Sequence, residues 1–192
     1  MVVTATVITA AGCSDLLVEE PDLLSGADLI FLPQQSTAPP PNGNSFWVRN
    51  SASTTRSIRH PDNFDTLFAD LSFPPNSIVS VAGASVGAND SARVTVSVSP
   101  GRYGLAATPE NLVFSASSRP TIRFSASFYG DFSVATSSGR YVDADDYLAS
   151  LDVWREASPG QWARLPSTVS RLTTSVSASL PGPGNYALAA PR

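Results

Sequence analysis

A period of two in the hydrophobic pattern constrains this chain more than any other feature. In Ala92-Arg93-Val94-Thr95-Val96-Ser97-Val98-Ser99, the valines at 94, 96 and 98 fall on one side, and Arg93, Thr95, Ser97 and Ser99 on the other. Successive side chains of a strand point to opposite faces, so this run reads as a strand with one dry face and one wet face. Pro120–Phe128 repeats the rhythm, with Ile122, Phe124, Ala126 and Phe128 placed inward. Ser45-Phe46-Trp47-Val48 opens the alternating region, and Ser175–Leu180 and Asn185–Leu188 close it. Leu151–Arg155 and Gln161–Leu165 flank Ser158-Pro159-Gly160, which predicts a hairpin. In the first arm the phase stays open: if Val153 points inward, Trp154 points out. Only residues 144–150 leave room for a helical turn. Many short strands punctuated by 28 Gly and Pro predict an all-β fold, an antiparallel β-sandwich.

Composition then removes several chemistries. All twelve basic residues are Arg, so there is no Lys for a Schiff base or a Walker-type phosphate loop. One Cys and one His cannot make a Cys/His zinc site. A net charge of −4 argues against general nucleic-acid binding. Ser and Thr together make 43 of 192 residues, as expected where strands need uncharged residues on their wet faces. Nothing in the composition calls for a cofactor.

The first 43 residues differ from the rest. Residues 2–12 are small or apolar and uncharged, too short to span a bilayer but suited to the apolar region of a signal peptide. Ala10-Ala11-Gly12-Cys13 resembles the lipobox of bacterial lipoproteins. The resemblance implies cleavage before Cys13 and lipid on its thiol, with acyl chains holding the protein on a membrane. The other reading is a buried strand with Cys13 as a free core thiol. Residues 14–43 carry five acids (Asp15, Glu19, Glu20, Asp22, Asp28) and no Arg, and they end in Pro39-Pro40-Pro41-Asn42-Gly43. This composition predicts an extended, semi-rigid spacer. Leu29-Ile30-Phe31-Leu32 within it is too apolar for a pure linker and forms either a first strand or a docking segment. The expected organisation is a signal peptide at 1–12, a lipidated Cys13 and tether over 13–43, and a sandwich over 44–192. Residues 44–192 hold all twelve Arg and eleven acids, so the negative charge belongs to the tether.

Three further segments, in order, resemble the ZU-type domain, the β-sandwich of zonula occludens proteins, netrin receptors and ankyrins. They are Ala69–Ile78 with its Phe73-Pro74-Pro75 turn, the stretch from Arg93 to Tyr129, and 151–188 with its closing Tyr186-Ala187-Leu188. The resemblance covers about residues 64–189 and implies protein–protein contact rather than catalysis. Some members of the family cleave themselves at a His-Phe-Ser triplet before the final Tyr. Here Gly182, Pro183 and Gly184 stand in those places, so neither nucleophile nor base is available and self-cleavage is not expected.

Four features carry candidate chemistry. Gly83-Ala84-Ser85-Val86-Gly87 matches the nucleophile elbow of serine hydrolases, but a turn and a strand follow it where a helix should. His60-Pro61-Asp62 pairs the only imidazole with a carboxylate, although a residue before Pro more often marks a strand end. Asp143-Ala144-Asp145-Asp146 offers oxygens as calcium loops do, without their Gly or distal Glu, and reads as a solvated loop. Trp47, Trp154 and Trp162, with five Tyr, would make a sugar-stacking platform if exposed. Together the expectation is a non-catalytic lipoprotein of the bacterial cell envelope, outside the cytoplasm, whose sandwich meets a protein partner. A carbohydrate-binding module is the alternative, and a hydrolase at Ser85 a remote one.

Overall fold

A computed structural model describes residues 23–192. Its elements in chain order are β1 (Leu23–Ser25), a 3-10 turn (Gly26–Asp28), β2 (Leu29–Phe31), β3 (Asn44–Arg49), β4 (Thr54–Arg59) and β5 (Leu67–Phe73). There follow β6 (Ile78–Val81), β7 (Ala84–Ser85), β8 (Ser91–Val98), β9 (Gly104–Thr108), β10 (Leu112–Phe114) and β11 (Thr121–Ser125). Two short helices come next, α1 (Val134–Ser137) and α2 (Ala144–Ser150). The chain closes with β12 (Asp152–Ser158), β13 (Gln161–Arg164), β14 (Ser167–Ser170), β15 (Ser175–Ser179) and β16 (Gly184–Pro191).

The strands form antiparallel sheets packed on one another, as the alternation predicts. One sheet runs β1-β13-β12-β16-β9-β8-β3, with β2 also on β16; a second runs β14-β15-β11-β5-β4; a small third runs β10-β6-β7. Strand β8 carries its expected faces: Ala92, Val94 and Val96 are buried, while Arg93, Thr95 and Ser97 face water. Val94, Val96, Leu105, Val153 and Leu188 meet Phe68, Leu71, Phe73, Ile122, Phe124 and Val176 of the opposing sheet in one core. Aromatic pairs lock the layers, with Phe68 stacked on Tyr103 at 4.9 Å and Phe46 edge-on to Phe73 at 5.8 Å.

One side chain ties the third sheet to the β3–β4 corner. Buried Asn50, at the corner between β3 and β4, donates through Nδ2 to the Ile78 carbonyl (2.7 Å) and accepts from the Ile78 N–H at Oδ1 (3.1 Å). A primary amide offers the same donor and acceptor pair as a backbone unit, so Asn50 substitutes for a missing strand residue.

Three expectations are corrected here. The domain does not begin at 44. Residues 23–34 belong to the sandwich: β1 pairs with β13, β2 pairs with β16, and Leu29, Ile30 and Leu32 are buried. Apolar side chains at 29–32 outweigh the acidic, Pro-rich character of their surroundings, because a strand needs only a few inward residues to be held. Phe128 is not inward. β11 stops at Ser125, the chain turns, and Phe128 stands 70% exposed. The phase of β12 is not an either/or. Val153 and Trp154 are both buried, because the β1–β2 segment covers the second face of the sheet. The helical turn at 144–150 coincides with α2; the four-residue α1 is additional.

Candidate functional site

A surface groove of about 890 Å³ lies beside the end strand β3. Its floor is the outward face of β3 and β8. Phe46 and Val48 turn inward, so Trp47 between them must turn out, and it is 62% exposed. Register sets Trp47 opposite Arg93 and Ser45 opposite Thr95. The Ser45 and Thr95 hydroxyls meet at 2.7 Å and tie the two strands on this face. The β6–β7 hairpin forms one wall through Val81, Ala84, Ser85 and Val86, and Thr108 and Pro109 the other. Asp90 closes one end, its carboxylate accepting the Gly87 N–H at 2.8 Å. The groove therefore offers a broad aromatic face, a guanidinium, a carboxylate and hydroxyls. These can stack, form paired hydrogen bonds and exclude water from one side of a ligand.

Of the three tryptophans expected on a platform, the structure keeps only Trp47 at the surface. Trp154 and Trp162 form a second buried cluster with Leu29, Ala187 and Ala189, sealed by Leu24 and Phe31. Trp154 Nε1 donates to the Ala189 carbonyl at 3.0 Å, so its one polar atom is satisfied indoors. Phe31 meets Trp162 edge-on at 5.1 Å, and the Arg102 guanidinium lies over both rings, at 4.7 and 5.6 Å from their centroids. The tyrosines mostly follow them inside. Tyr103, Tyr147 and Tyr186 are buried, and burial pushes their hydroxyl pKa values up, that of Tyr186 to about 12.

Ser85 lines the groove on the two-residue strand β7, with no helix after it. His60 is not its partner. β7 lies beside the Asn50 corner, where Val86 faces Asn50, whereas β4 leaves that corner and reaches His60 only after six strand residues, about 20 Å on. His60 is wholly buried, its Nδ1 2.7 Å from the Pro39 carbonyl and its ring against Phe68 and Tyr129. Its neighbour Asp62 accepts from the N–H groups of Phe64 (3.2 Å) and Thr66 (2.9 Å) and from the Tyr129 hydroxyl (2.9 Å). Hydrogen bonds, those from Thr66 first, hold the Asp62 carboxyl well below its usual range. The pair is thus built into a hydrogen-bonded loop.

The acidic segment at 143–146 is a helix start. Asp143 accepts the Asp146 N–H at 2.8 Å, and Asp146 accepts the Val142 N–H at 3.1 Å, a reciprocal cap for α2. The spacing of two acids three residues apart before an apolar pair was the signal for it. Among the described residues no group of three or more His, Cys, Asp or Glu is placed to hold a metal ion. At the position of the self-cleaving triplet, Arg155 donates to the Pro183 carbonyl (3.1 Å) and Tyr186 to that of Gly182, so the segment is clamped between strands. Cys13 and the expected signal segment at 1–12 lie outside the described residues. Among those described, no helix is long and apolar enough to cross a membrane. A scan of protein-family models, a search of curated proteins and a search of solved structures each return no match.

Proposed function

We propose that this chain is a non-catalytic lipoprotein of a bacterial cell envelope, lipidated at Cys13, whose ZU-type-like sandwich binds a protein partner in the Trp47 groove. The observation that carries the binding reading is Trp47 itself. A strand at the end of a sheet presents a large aromatic ring to water, opposite an Arg and between two walls. Trp and Arg are the residues that most often concentrate binding energy at protein interfaces, and a walled groove excludes water around them. Nothing in the packing of β3 requires Trp at position 47. Replacing it by Ala is expected to change stability by no more than ~0.5 kcal/mol.

The test is a photo-crosslinking residue at groove position 85, with Trp47 kept, in the native host. One defined protein adduct, identified by mass spectrometry and lost on Arg93→Glu, is expected; no adduct counts against the reading. A second reading, a saccharide in the same groove, draws on the flat indole beside Asp90, Arg93 and hydroxyls. Glycan-array binding abolished by Trp47→Ala would replace the protein partner by a sugar. Mass spectrometry of the mature N-terminus decides the anchor: a diacylglyceryl Cys13 is expected, and an unmodified thiol in host membranes refutes it.

A further inference from the structure

At the end of the sandwich to which β4 and β11 run, three loops each raise one large apolar side chain. In the five-stranded sheet every neighbouring pair is antiparallel, so the β4–β5 loop, the turn after β11 and the β14–β15 loop emerge at the same end. Their tips are Phe64 (88% exposed), Phe128 (70%) and Leu172 (96%). The loops touch: Tyr129 donates its hydroxyl to Asp62, and the Ala126 N–H donates to the Thr174 carbonyl at 2.9 Å. We propose that Phe64, Phe128 and Leu172 are insertion points by which this end of the sandwich seats itself in the interfacial layer of the bilayer that carries the protein's own anchor.

The loops are ordered before contact. Asp62 gathers the N–H groups of Phe64 and Thr66 and thereby fixes the first tip. Gly130 donates to the Ala126 carbonyl, and a Cβ at Gly130 would stand 2.7 Å from that oxygen, so the second turn is close-packed. The third is a tight turn closed from the Thr174 N–H to the Arg171 carbonyl.

The pattern fits a bilayer better than a protein partner. The apolar tips are separated by Asn63, Asp65, Ser127, Tyr129, Arg171 and Thr173 rather than fused into a patch. A dry protein interface would strand those polar groups, whereas at headgroup depth they stay wet while the tips reach the acyl boundary. The acids at this end are occupied at home. Asp62 is held as described, Asp65 pairs with Arg59 at 3.5 Å, and Asp131 accepts from the Ser133 N–H and hydroxyl. Arg171 has no ion-pair partner among the described residues and stands next to Leu172, free for a lipid phosphate.

The choice of bilayer rests on the lipid-anchor reading. Leu23 is already in the sheet and only nine residues lie between it and Cys13, so the ten steps of chain from Cys13 to Leu23 reach at most ~35 Å. A sandwich of this size is about 40 Å across, so any end can turn to the membrane but none can leave its neighbourhood.

The test uses the full chain as Cys13→Ser, which removes the only thiol. New single cysteines at 64, 128, 172 and, as a control, at exposed Val113 each carry an environment-sensitive fluorophore. Vesicles of phosphatidylethanolamine and phosphatidylglycerol (3:1) are then added. A blue shift at the three tips but not at 113 is expected. So is a loss of vesicle binding of at least tenfold when Phe64, Phe128 and Leu172 are all replaced by Ser, with the far-ultraviolet dichroism unchanged. Labels that stay in water at the tips, or an equal shift at 113, overturn the proposal. This chain carries no lipid, so the result is separate from the mass-spectrometric test of the anchor.

Discussion

Asn50 and Asp62 show how much structure single polar side chains hold in a protein with so few charges. Asn50→Ala leaves the N–H and the carbonyl of Ile78 without partners in a buried corner. The cost should be about 2–4 kcal/mol, since each unmet group carries a desolvation penalty of ~1–3 kcal/mol. The fall in the urea midpoint measures it. A loss below ~1 kcal/mol would mean that water takes over both bonds. Asp62 makes a prediction about pH. Its folded pKa lies below the ordinary 3.8, so the stability it contributes is fully present above that value. That stability is lost as pH falls further and the carboxylate takes a proton. Asp62→Asn should therefore be less stable than the parent at pH 7, with the difference narrowing at pH 3. A constant difference across that range would show that the loop does not depend on the charge.

Among the elements, the β1–β2 segment does most to define the domain. Leu29, Ile30 and Leu32 are buried, and at ~1.5–3 kcal/mol each their removal approaches the whole stability of an ordinary domain. A chain begun at residue 44 is expected to lose cooperative unfolding. Its tryptophan emission should move to the red as Trp154 and Trp162 are uncovered. An unshifted spectrum would show that the two rings do not need their cover. This element also marks where sequence reading stops. Strands with one wet face, β8 and most of β11, are legible because alternation reports the side that sees water. β16 and β12 are not, because both faces are covered and alternation carries no phase; Trp154 was ambiguous for that reason. The cover is itself a distant piece of chain whose pairing no local pattern announces. Phe128 misled because a strand's phase persists in the sequence after its backbone has turned away. Trp47 was legible as a candidate, but only the neighbouring walls make it a groove. The reciprocal cap at Asp143 and Asp146 is present in the spacing, although the same residues read there as a solvated loop.

The molecule as a whole joins residues far apart in sequence. β2 pairs with β16, β3 with β8 and β9 with β16. Loops of that length must close before those pairings are rewarded, so folding should take milliseconds to seconds. Stopped-flow tryptophan fluorescence can measure this, and a submillisecond main phase would contradict it. Charge does not complicate the picture. Four of the sixteen acids precede Leu23, so the sandwich carries twelve Arg against twelve acids. Salt should move its stability little. The position of β16 has one more consequence. It stands between β12 and β9 and also receives β2, yet it follows every other strand in the sequence. A ribosome makes some 5–20 residues per second, so the chain emerges over many seconds with the middle of its largest sheet missing. Until Gly184–Pro191 has been made, β12, β9 and β2 lack the strand that joins them, so the largest sheet can close only when the last strand arrives.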